Sequence, residues 1–342
     1  MDYKDIVRVN KNVKEKLITK KDDLLVCARN GSARLIGKNA ILHEADANQT
    51  FGAFMMVFRS DKNHFVHQLL NTRRYSSQVS ENLGARINQI TSSDLSSFEF
   101  FFPTENSEMN KIAALLDLLD ERIATQNKII DKLQSLIKGL NNHLHQQCVN
   151  EIETSFADLG VSYSGLSGKT AADFGSGKPF ITYLNVYSNN VIDETSYQYV
   201  RMDNNEKQSI VRYGDVLFTL SSETPEEVGI GSVYLGNQEV YLNSFCFGIH
   251  ITNTQKAFSP YLSYYISTAQ FRKFIYPFAQ GSTRFNLCKA DFEKATFKLP
   301  TLENQERIYK ALKSLSDKIM VEKATLEQYS RQKQYLLRQM FI

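Results

Sequence analysis

The sequence predicts an α+β protein with two globular αβ domains, each followed by a long helix. Three observations support this fold class. Two segments carry a helical apolar repeat, the sequences ahead of those segments resemble each other, and much of the remaining chain consists of short β-branched and aromatic runs. A chain of 342 residues is also long enough for two domains that each bury a core. The predicted divisions are 1–107 and 148–303 for the globular domains, and 108–147 and 304–342 for the helices.

Each predicted helix carries apolar residues at alternating steps of four and three, which is typical of a helix that buries a narrow stripe against another helix. The first stripe consists of Ile112, Leu116, Leu119, Ile123, Ile130, Leu133, Ile137, Leu140 and Leu144. The second stripe, at an offset of 196 residues, consists of Ile308, Leu312, Leu315, Ile319, Leu326, Tyr329, Leu336 and Met340. Gln126 and Glu322 interrupt the two stripes at the same place. Such a polar residue can set the register between two helices, although a frayed or solvated position is the plainer interpretation.

The residues ahead of the two helices also recur, allowing single-residue gaps. The matched pairs are Gly84 with Gly281, Arg86 with Arg284, Asn88 with Asn286, Asp94 with Asp291, Pro103 with Pro300 and, further upstream, Asp23 with Asp215. A repeat with so long a period takes precedence over any local motif, and two copies imply pseudo-twofold symmetry.

Short apolar runs within the copies predict strands of a twisted sheet or partial barrel. These runs are "VLFTL", "SVYLG", "VYLNSFCFGIHI" and "PFITYLNVY", and they are broken by Gly and Asn. Residues 260–274 and their counterpart 65–79 instead have apolar spacings that suit one helix face each.

The composition leaves several function classes open and excludes others. A net charge of +3 permits a nucleic-acid partner without indicating one. The four cysteines form no C-x-x-C pair, which argues against a structural zinc site and a disulfide framework. The N-terminus lacks an apolar signal core, and no run of 18 apolar residues occurs. We therefore expect a cytoplasmic chain that does not enter a membrane.

The repeated domain, the "LPTLENQERI" junction and the repeated long helix together resemble the specificity (S) subunit of a type I restriction-modification enzyme. The resemblance covers nearly the whole chain. It implies that each globular part is a target recognition domain that reads one half of a bipartite site in double-stranded DNA. It also implies that the helices pair as an antiparallel coiled coil and dock methyltransferase subunits, two in number, while restriction subunits join through the complex.

One departure from that family concerns the first domain. Nothing in the first copy corresponds to residues 155–195 of the second copy. We therefore expect the first recognition domain to be shortened at its start.

Candidate DNA contacts are predicted in loops, because a DNA reader needs donors to phosphates and a few side chains that reach base edges. In the "QGSTRFN" turn, an arginine suits guanine and an asparagine suits adenine. The candidates are Ser282, Thr283, Arg284 and Asn286, their counterparts Arg86 and Asn88, the loop residues Ser221, Ser222, Arg29 and Arg34, and Lys169, Thr170 and Lys178. An alternative is that these are ordinary surface loops and that the arginine caps helix carbonyls.

The sequence predicts no catalytic residue, no metal site and no cofactor. His143 and His145 are two residues apart, so on a helix they point to different faces and cannot hold a metal together. Gly168-Lys169-Thr170 suggests a phosphate-binding loop, but Tyr163 stands where that loop requires its first glycine. Two other functions stay open: a coiled-coil structural adaptor that binds proteins, and a partial or silent specificity-subunit variant used in recombination.

Overall fold

The computed structural model describes residues 7–83, 88–147, 150–203 and 205–341. The chain divides into two compact units. Unit 1 comprises Met1–Ile130 and Val321–Ile342, and unit 2 comprises Asp131–Met320. Each unit therefore contains one globular part and a segment of both long helices. The predicted four-part division of the chain stays a prediction.

The described residues form the following elements. The helices are α1 (Asn63–Leu69), α2 (Arg73–Leu83), α3 (Ser92–Ser97), α4 (Asn106–Gln146), α5 (Phe156–Leu159), α6 (Tyr183–Ser188), α7 (Ser259–Tyr265), α8 (Ala269–Ile275), α9 (Lys289–Lys294) and α10 (Leu302–Met340). The strands are β1 (Leu24–Cys27), β2 (Asn39–Ile41), β3 (Met55–Phe58), β4 (Glu151–Thr154), β5 (Gly160–Ser164), β6 (Phe174–Ile181), β7 (Gln198–Val200), β8 (Val216–Thr219), β9 (Ser221–Ser222), β10 (Gly231–Val233), β11 (Tyr241–Leu242), β12 (Cys246–Ile251), β13 (Ala279–Gly281), β14 (Phe285–Leu287) and β15 (Phe297–Pro300). Short 3-10 turns lie at Glu15–Leu17, Ala33–Leu35, Glu44–Asp46, Ala171–Asp173, Pro225–Glu227 and Tyr276–Phe278.

The globular part of unit 1 is built on a small antiparallel sheet with strand order β2-β1-β3. Leu24 and Val26 point to the buried face of the central strand and are fully buried, as the two-residue period of a strand requires. They pack in one cluster with Tyr75 and Val79 of α2. The Tyr75 hydroxyl donates to the carbonyl of Gly37 at 2.9 Å, so this buried polar group is satisfied.

The globular part of unit 2 contains more strands, arranged in several small sheets. Their orders are β10-β8-β12-β5, β11-β6-β7, β13-β14-β9 and β15-β4. All four residues of β8 are buried. An aromatic core that includes Phe156, Phe218 and Phe292 packs beneath the first sheet. Helices and open sheets in both units confirm the predicted α+β class.

The two units share local structure at the positions where the sequence repeats. The starts of α1 and α7, and those of α2 and α8, are separated by the same offset of 196 residues as the apolar stripes. Asp23 accepts a hydrogen bond from the Lys20 backbone N–H at 2.7 Å, and Asp215 accepts one from the Arg212 N–H at 2.8 Å. Both aspartates are almost fully buried. The matched aspartates therefore close the same turn ahead of β1 and β8.

Two predictions of secondary structure were wrong. Residues 260–274 form two helices, not one, because Thr268 caps α8: its hydroxyl accepts from the Phe271 N–H at 3.1 Å. Thr72 interrupts the counterpart 65–79 between α1 and α2 in the same way: its hydroxyl accepts from the Tyr75 N–H at 3.4 Å and donates to the Leu69 carbonyl at 2.7 Å. The predicted strand "PFITYLNVY" also ends early, since the Thr182 side chain caps α6 by accepting from the Asn185 N–H.

The long helices α4 and α10 contact each other within unit 1. Leu116 and Leu119 are buried in a cluster with Leu337, which lies next to the stripe position Leu336. Lys333 pairs with Asp120 at 2.7 Å. Further along α4, the side chain of Gln126 donates to the Glu322 carbonyl at 3.1 Å and to its carboxylate.

The two helices run antiparallel along these contacts, because the residue numbers of the contacts on α10 decrease as those on α4 increase. The two polar residues that interrupt the stripes are hydrogen-bonded partners, so the interpretation of solvated positions was wrong. A coiled coil along the full length of both helices stays a prediction.

In unit 2 the stripes have a second role. Ile308 and Leu312 are almost fully buried and belong to the aromatic core of the globular part. Ile137 and Leu140 of α4 pack against the same core. The sequence predicted only helix-to-helix contacts for these positions. The structure shows that they also join the helices to the domain beside them.

None of the described helices combines the length and the apolar character that a bilayer crossing needs.

Candidate nucleic-acid interface

Two predicted contact segments that are far apart in the sequence lie side by side in unit 2. Strand β9 pairs with β14, with Ser222 opposite Phe285 and Ser221 opposite Asn286. Strand β14 in turn pairs with β13, so residues 282–284 form the tip of a hairpin. The "QGSTRFN" segment is therefore a turn, as predicted, and it lies against the loop that follows β8.

A cleft of about 750 Å³ opens at this junction. Its lining residues are Tyr183, Tyr187, Ser221, Ser222, Glu223, Glu227, Phe245, Thr283 and Arg284. Four of them were predicted as DNA contacts, namely the two serines, Thr283 and Arg284. Ser282 and Asn286 are exposed in the same hairpin but do not line the cleft.

Arg284 has an exposed side chain at this cleft. Its guanidinium carbon lies 6.0 Å from the centre of the Phe245 ring, a distance at the limit of a cation–π interaction. Within the described part of the chain, its guanidinium makes no hydrogen bond or ion pair. The side chain therefore keeps its donors for a ligand.

Among the described residues Arg284 caps no helix carbonyl, so that part of the alternative was wrong, while the interpretation as an ordinary surface loop stays open. Another arginine binds backbone carbonyls beside the cleft. Arg272 of α8 donates to the carbonyls of Glu226, Val228 and Gly229 at 2.6, 2.7 and 3.0 Å. Because these contacts use backbone oxygens, they hold the loop 226–229 beside the cleft in one conformation.

The carboxylate of Glu227 faces the cleft between two hydroxyl donors. The Tyr187 hydroxyl donates to one oxygen at 2.8 Å, and the Ser222 hydroxyl donates to the other at 3.0 Å. The hydrogen bond from Tyr187 and then the one from Ser222 lower the pKa of Glu227. The carboxylate is therefore ionised at neutral pH.

Aromatic side chains complete the lining. The rings of Tyr183 and Tyr187 stack with centroids 6.0 Å apart and an angle of 17°, and the Tyr183 hydroxyl donates to the Ser221 carbonyl at 2.8 Å. The sequence reasoning missed both tyrosines, Glu227 and Phe245. The four-residue spacing of the tyrosines is a signal for a helix, but the β-branched and aromatic run around them predicts a strand.

Unit 1 brings together the loop and the segment that match these two in the sequence repeat. The loop after β1 approaches residues 88–89: Arg29 donates to the Gln89 side chain at 2.9 Å and lies over the Phe54 ring at 5.7 Å. Asn88, with a φ of 44°, donates to the Gly31 carbonyl at 3.1 Å. Arg34 is exposed. Arg86 lies outside the described residues.

The glycine-lysine-threonine motif has structural contacts in unit 2. Lys169 forms an ion pair with Glu206 and donates to the Arg201 carbonyl at 2.6 Å, with only 8% of its side chain exposed. Thr170 begins a 3-10 turn and shares a capping box with Asp173. Lys178 is exposed on β6. Contact of these three predicted residues with DNA stays a prediction.

The histidine at the end of α4 is part of the core of unit 2. His145 is buried beside Tyr261, whose hydroxyl lies 2.9 Å from Nδ1. Burial lowers the pKa of His145 to about 4. Over the described ranges, no group of three or more His, Cys, Asp or Glu side chains is arranged to hold a metal ion.

Comparisons with known proteins give a family model for part of the chain and solved structures with a similar fold. Residues 167–329 match the model of the type I restriction modification DNA specificity domain. No curated protein matches the chain. Among solved structures, the type I restriction-modification S subunit from M. genitalium has 15% identity and a TM-score of 0.57, covering 97% of this chain and 92% of that chain. A structure described under complex assembly and conformational transition of the type I R-M system has 15% identity and a TM-score of 0.55, covering 94% of this chain and 82% of that chain. At such low identity these likenesses show the fold.

Proposed function

We propose that this chain is a specificity subunit that selects the DNA sequence on which a type I restriction-modification complex acts, because residues 167–329 match the DNA specificity domain of that family. The observation that carries this proposal is the cleft of unit 2, where two distant segments place a guanidinium that has no hydrogen-bond or ion-pair partner among the described residues beside hydroxyls and aromatic rings. Arginine is the side chain that most often reads a base edge in the major groove.

The proposal extends to a bipartite site. Each unit places the loop after a buried strand against a segment that carries an asparagine and lies ahead of a long helix. The residues at these two places differ, with Ser221 in unit 2 and Arg29 in unit 1. Different side chains on similar backbone arrangements suit the reading of two different half-sites.

We assign no chemistry to this chain within the complex. Specificity subunits are non-catalytic, so methylation and cleavage belong to partner chains. We propose that α4 and α10 dock two methyltransferase subunits, with restriction subunits joining through the complex. Since the substrate is cellular DNA, the cytoplasm is the proposed location.

The test is long-read methylation mapping of DNA exposed to the chain coexpressed with its methyltransferase subunits. We expect methylation at one motif with two specified halves and a fixed gap. Copurification without methyltransferase subunits, together with no salt-dependent DNA binding, would contradict the proposal and favour the structural adaptor.

Replacing Arg284 tests its predicted contact with a base. Arg284→Ala should cost about 1–3 kcal/mol in binding and relax one position of one half-site, because a base contact is lost. Arg212→Ala is the matched control, since it removes an equal charge from an exposed side chain of unit 2 that does not line the cleft. Any effect of Arg212→Ala on binding should be the same for all DNA sequences. If the effect of Arg284→Ala is also the same for all sequences, then Arg284 contacts only phosphates.

A further inference from the structure

The cleft of unit 2 contains an oriented carboxylate, which is unusual for a surface that binds a polyanion. Glu227 ends the 3-10 turn Pro225–Glu227, and its two oxygens accept from Tyr187 and Ser222. The Thr224 side chain also hydrogen-bonds to this carboxylate. Since a carboxylate offers about four acceptor sites, one remains for a ligand. Glu227 is therefore an acceptor whose direction is set by the protein before any ligand binds.

The backbone around Glu227 is held as firmly as its side chain. Arg272 binds the carbonyls on both sides of it, those of Glu226 and Val228. Gly229 follows with a φ of 64°, and a Cβ there would lie 2.3 Å from the Ile275 side chain. The loop therefore depends on this glycine and this arginine, and it presents Glu227 in one position.

An ionised carboxylate selects among the parts of a DNA duplex. It repels phosphates, so the part of the cleft beside Glu227 suits base edges and not the backbone. The donors that bases present in the major groove are the amino groups of cytosine and adenine. Adenine also presents the N7 acceptor beside its amino group, which an acceptor-only carboxylate disfavours, whereas an asparagine or glutamine amide satisfies both atoms. Cytosine is the base that fits.

We propose that Glu227 is a specificity-determining residue that accepts a hydrogen bond from the N4 amino group of a cytosine. The half-site that unit 2 reads therefore contains a G·C pair. Arg284 lines the same cleft and has the donors that O6 and N7 of guanine accept from. Tyr187, Ser222 and Arg272 are positioning residues. This inference rests on the proposed function.

The test uses the complex of the full chain with its methyltransferase subunits, once its motif is mapped. The half-site in which Arg284→Ala alters specificity is the one that unit 2 reads. Duplexes in which each G·C pair of that half-site is replaced in turn by A·T are then compared for binding. For the wild type, we expect one replacement to weaken binding by about 10- to 100-fold.

Glu227→Gln should reduce this discrimination to within about threefold or shift it towards A·T, because the amide suits adenine. Glu226→Gln is the matched control: Glu226 is the neighbouring residue, its side chain is exposed and it does not line the cleft. The control should keep the wild-type discrimination. Tyr187→Phe should give an intermediate value, since the carboxylate stays but loses one of the hydroxyl donors that orient it.

Two results would overturn the inference: a half-site without any G·C pair, or a Glu227→Gln complex with unchanged discrimination. Folding of the variant is checked by its selectivity for the other half-site, which should be retained. If Glu227→Gln does not fold, the wild-type duplex panel and Tyr187→Phe still decide the matter. A wild-type complex that shows no sequence preference would instead overturn the proposed function.

Discussion

The contact between the long helices in unit 1 is tested most directly by replacing Leu119 with aspartate. Leu119 is 6% exposed and packs in a cluster with Leu116 and Leu337. Removing a buried leucine side chain costs about 2–5 kcal/mol. A carboxylate left without a partner in the same place adds to that cost unless the helices separate. We therefore expect Leu119→Asp to lower the free energy of unfolding by at least about 3 kcal/mol.

The neighbouring Leu118 provides a matched control. It lies on the same helix but is 49% exposed. Leu118→Asp makes the same chemical change, so the loss of helix propensity, about 0.5 kcal/mol, and the change in net charge are the same in both variants. Only burial differs. The difference between the two variants therefore measures the contribution of the packed cluster.

The assay is urea unfolding of the purified full-length chain, followed by far-UV circular dichroism. Leu119→Asp should shift an unfolding transition to lower urea concentration. Leu118→Asp should leave the same transition nearly unchanged. Equal free energies of unfolding for the two variants, to within about 1 kcal/mol, would refute the packing of Leu119 against α10. The expected difference between the variants is larger than the error of the extrapolation for a domain of ordinary stability.

Two further predictions concern buried polar groups. In a double-mutant cycle of Gln126→Leu and Glu322→Leu, unfolding experiments should give a coupling energy of about 1–3 kcal/mol, because the hydrogen bond involves a charged partner; a value near zero would contradict the pairing. The pKa of His145 is lowered from 6.5 to about 4, so folding favours the neutral imidazole. The contribution of His145 to the free energy of unfolding is fully present above pH 6.5. It is lost as the pH falls towards 4, by up to about 3 kcal/mol. Melting curves of His145→Gln at several pH values should lack this pH-dependent loss of stability. If the variant and the wild type depend on pH in the same way, the predicted role of His145 is contradicted.

The long helices could be predicted because their signal is local. Each apolar stripe residue named from the sequence is buried or half-buried in the structure, since the spacing of side chains along a helix determines which of them share a face. The internal repeat could also be predicted from the sequence. The turns closed by Asp23 and Asp215 show that similar local sequences form similar local structure.

Helix ends inside the domains were harder to predict. The threonines Thr72 and Thr268 each end one apolar pattern and start another, although the periodicity runs through them. At "TYLNVY" the run of apolar, β-branched and aromatic residues suggested a strand, whereas the Thr182 cap and the buried position of Val186 select a helix. In both cases a single capping hydroxyl outweighed a weak pattern.

The sequence by itself determined the class of the protein, its internal repeat and the faces of its long helices, because these depend on spacing within one segment. Only the tertiary structure decided which segments form the cleft: α6, the loop 221–227, Phe245 and the hairpin tip 283–284 are brought together by strand pairing between distant residues. It also decided which cations are free. Lys169 is neutralised by Glu206, whereas Arg284 has no such partner in the described chain. The partner of a charge depends on long-range packing, and residue type and spacing do not encode it.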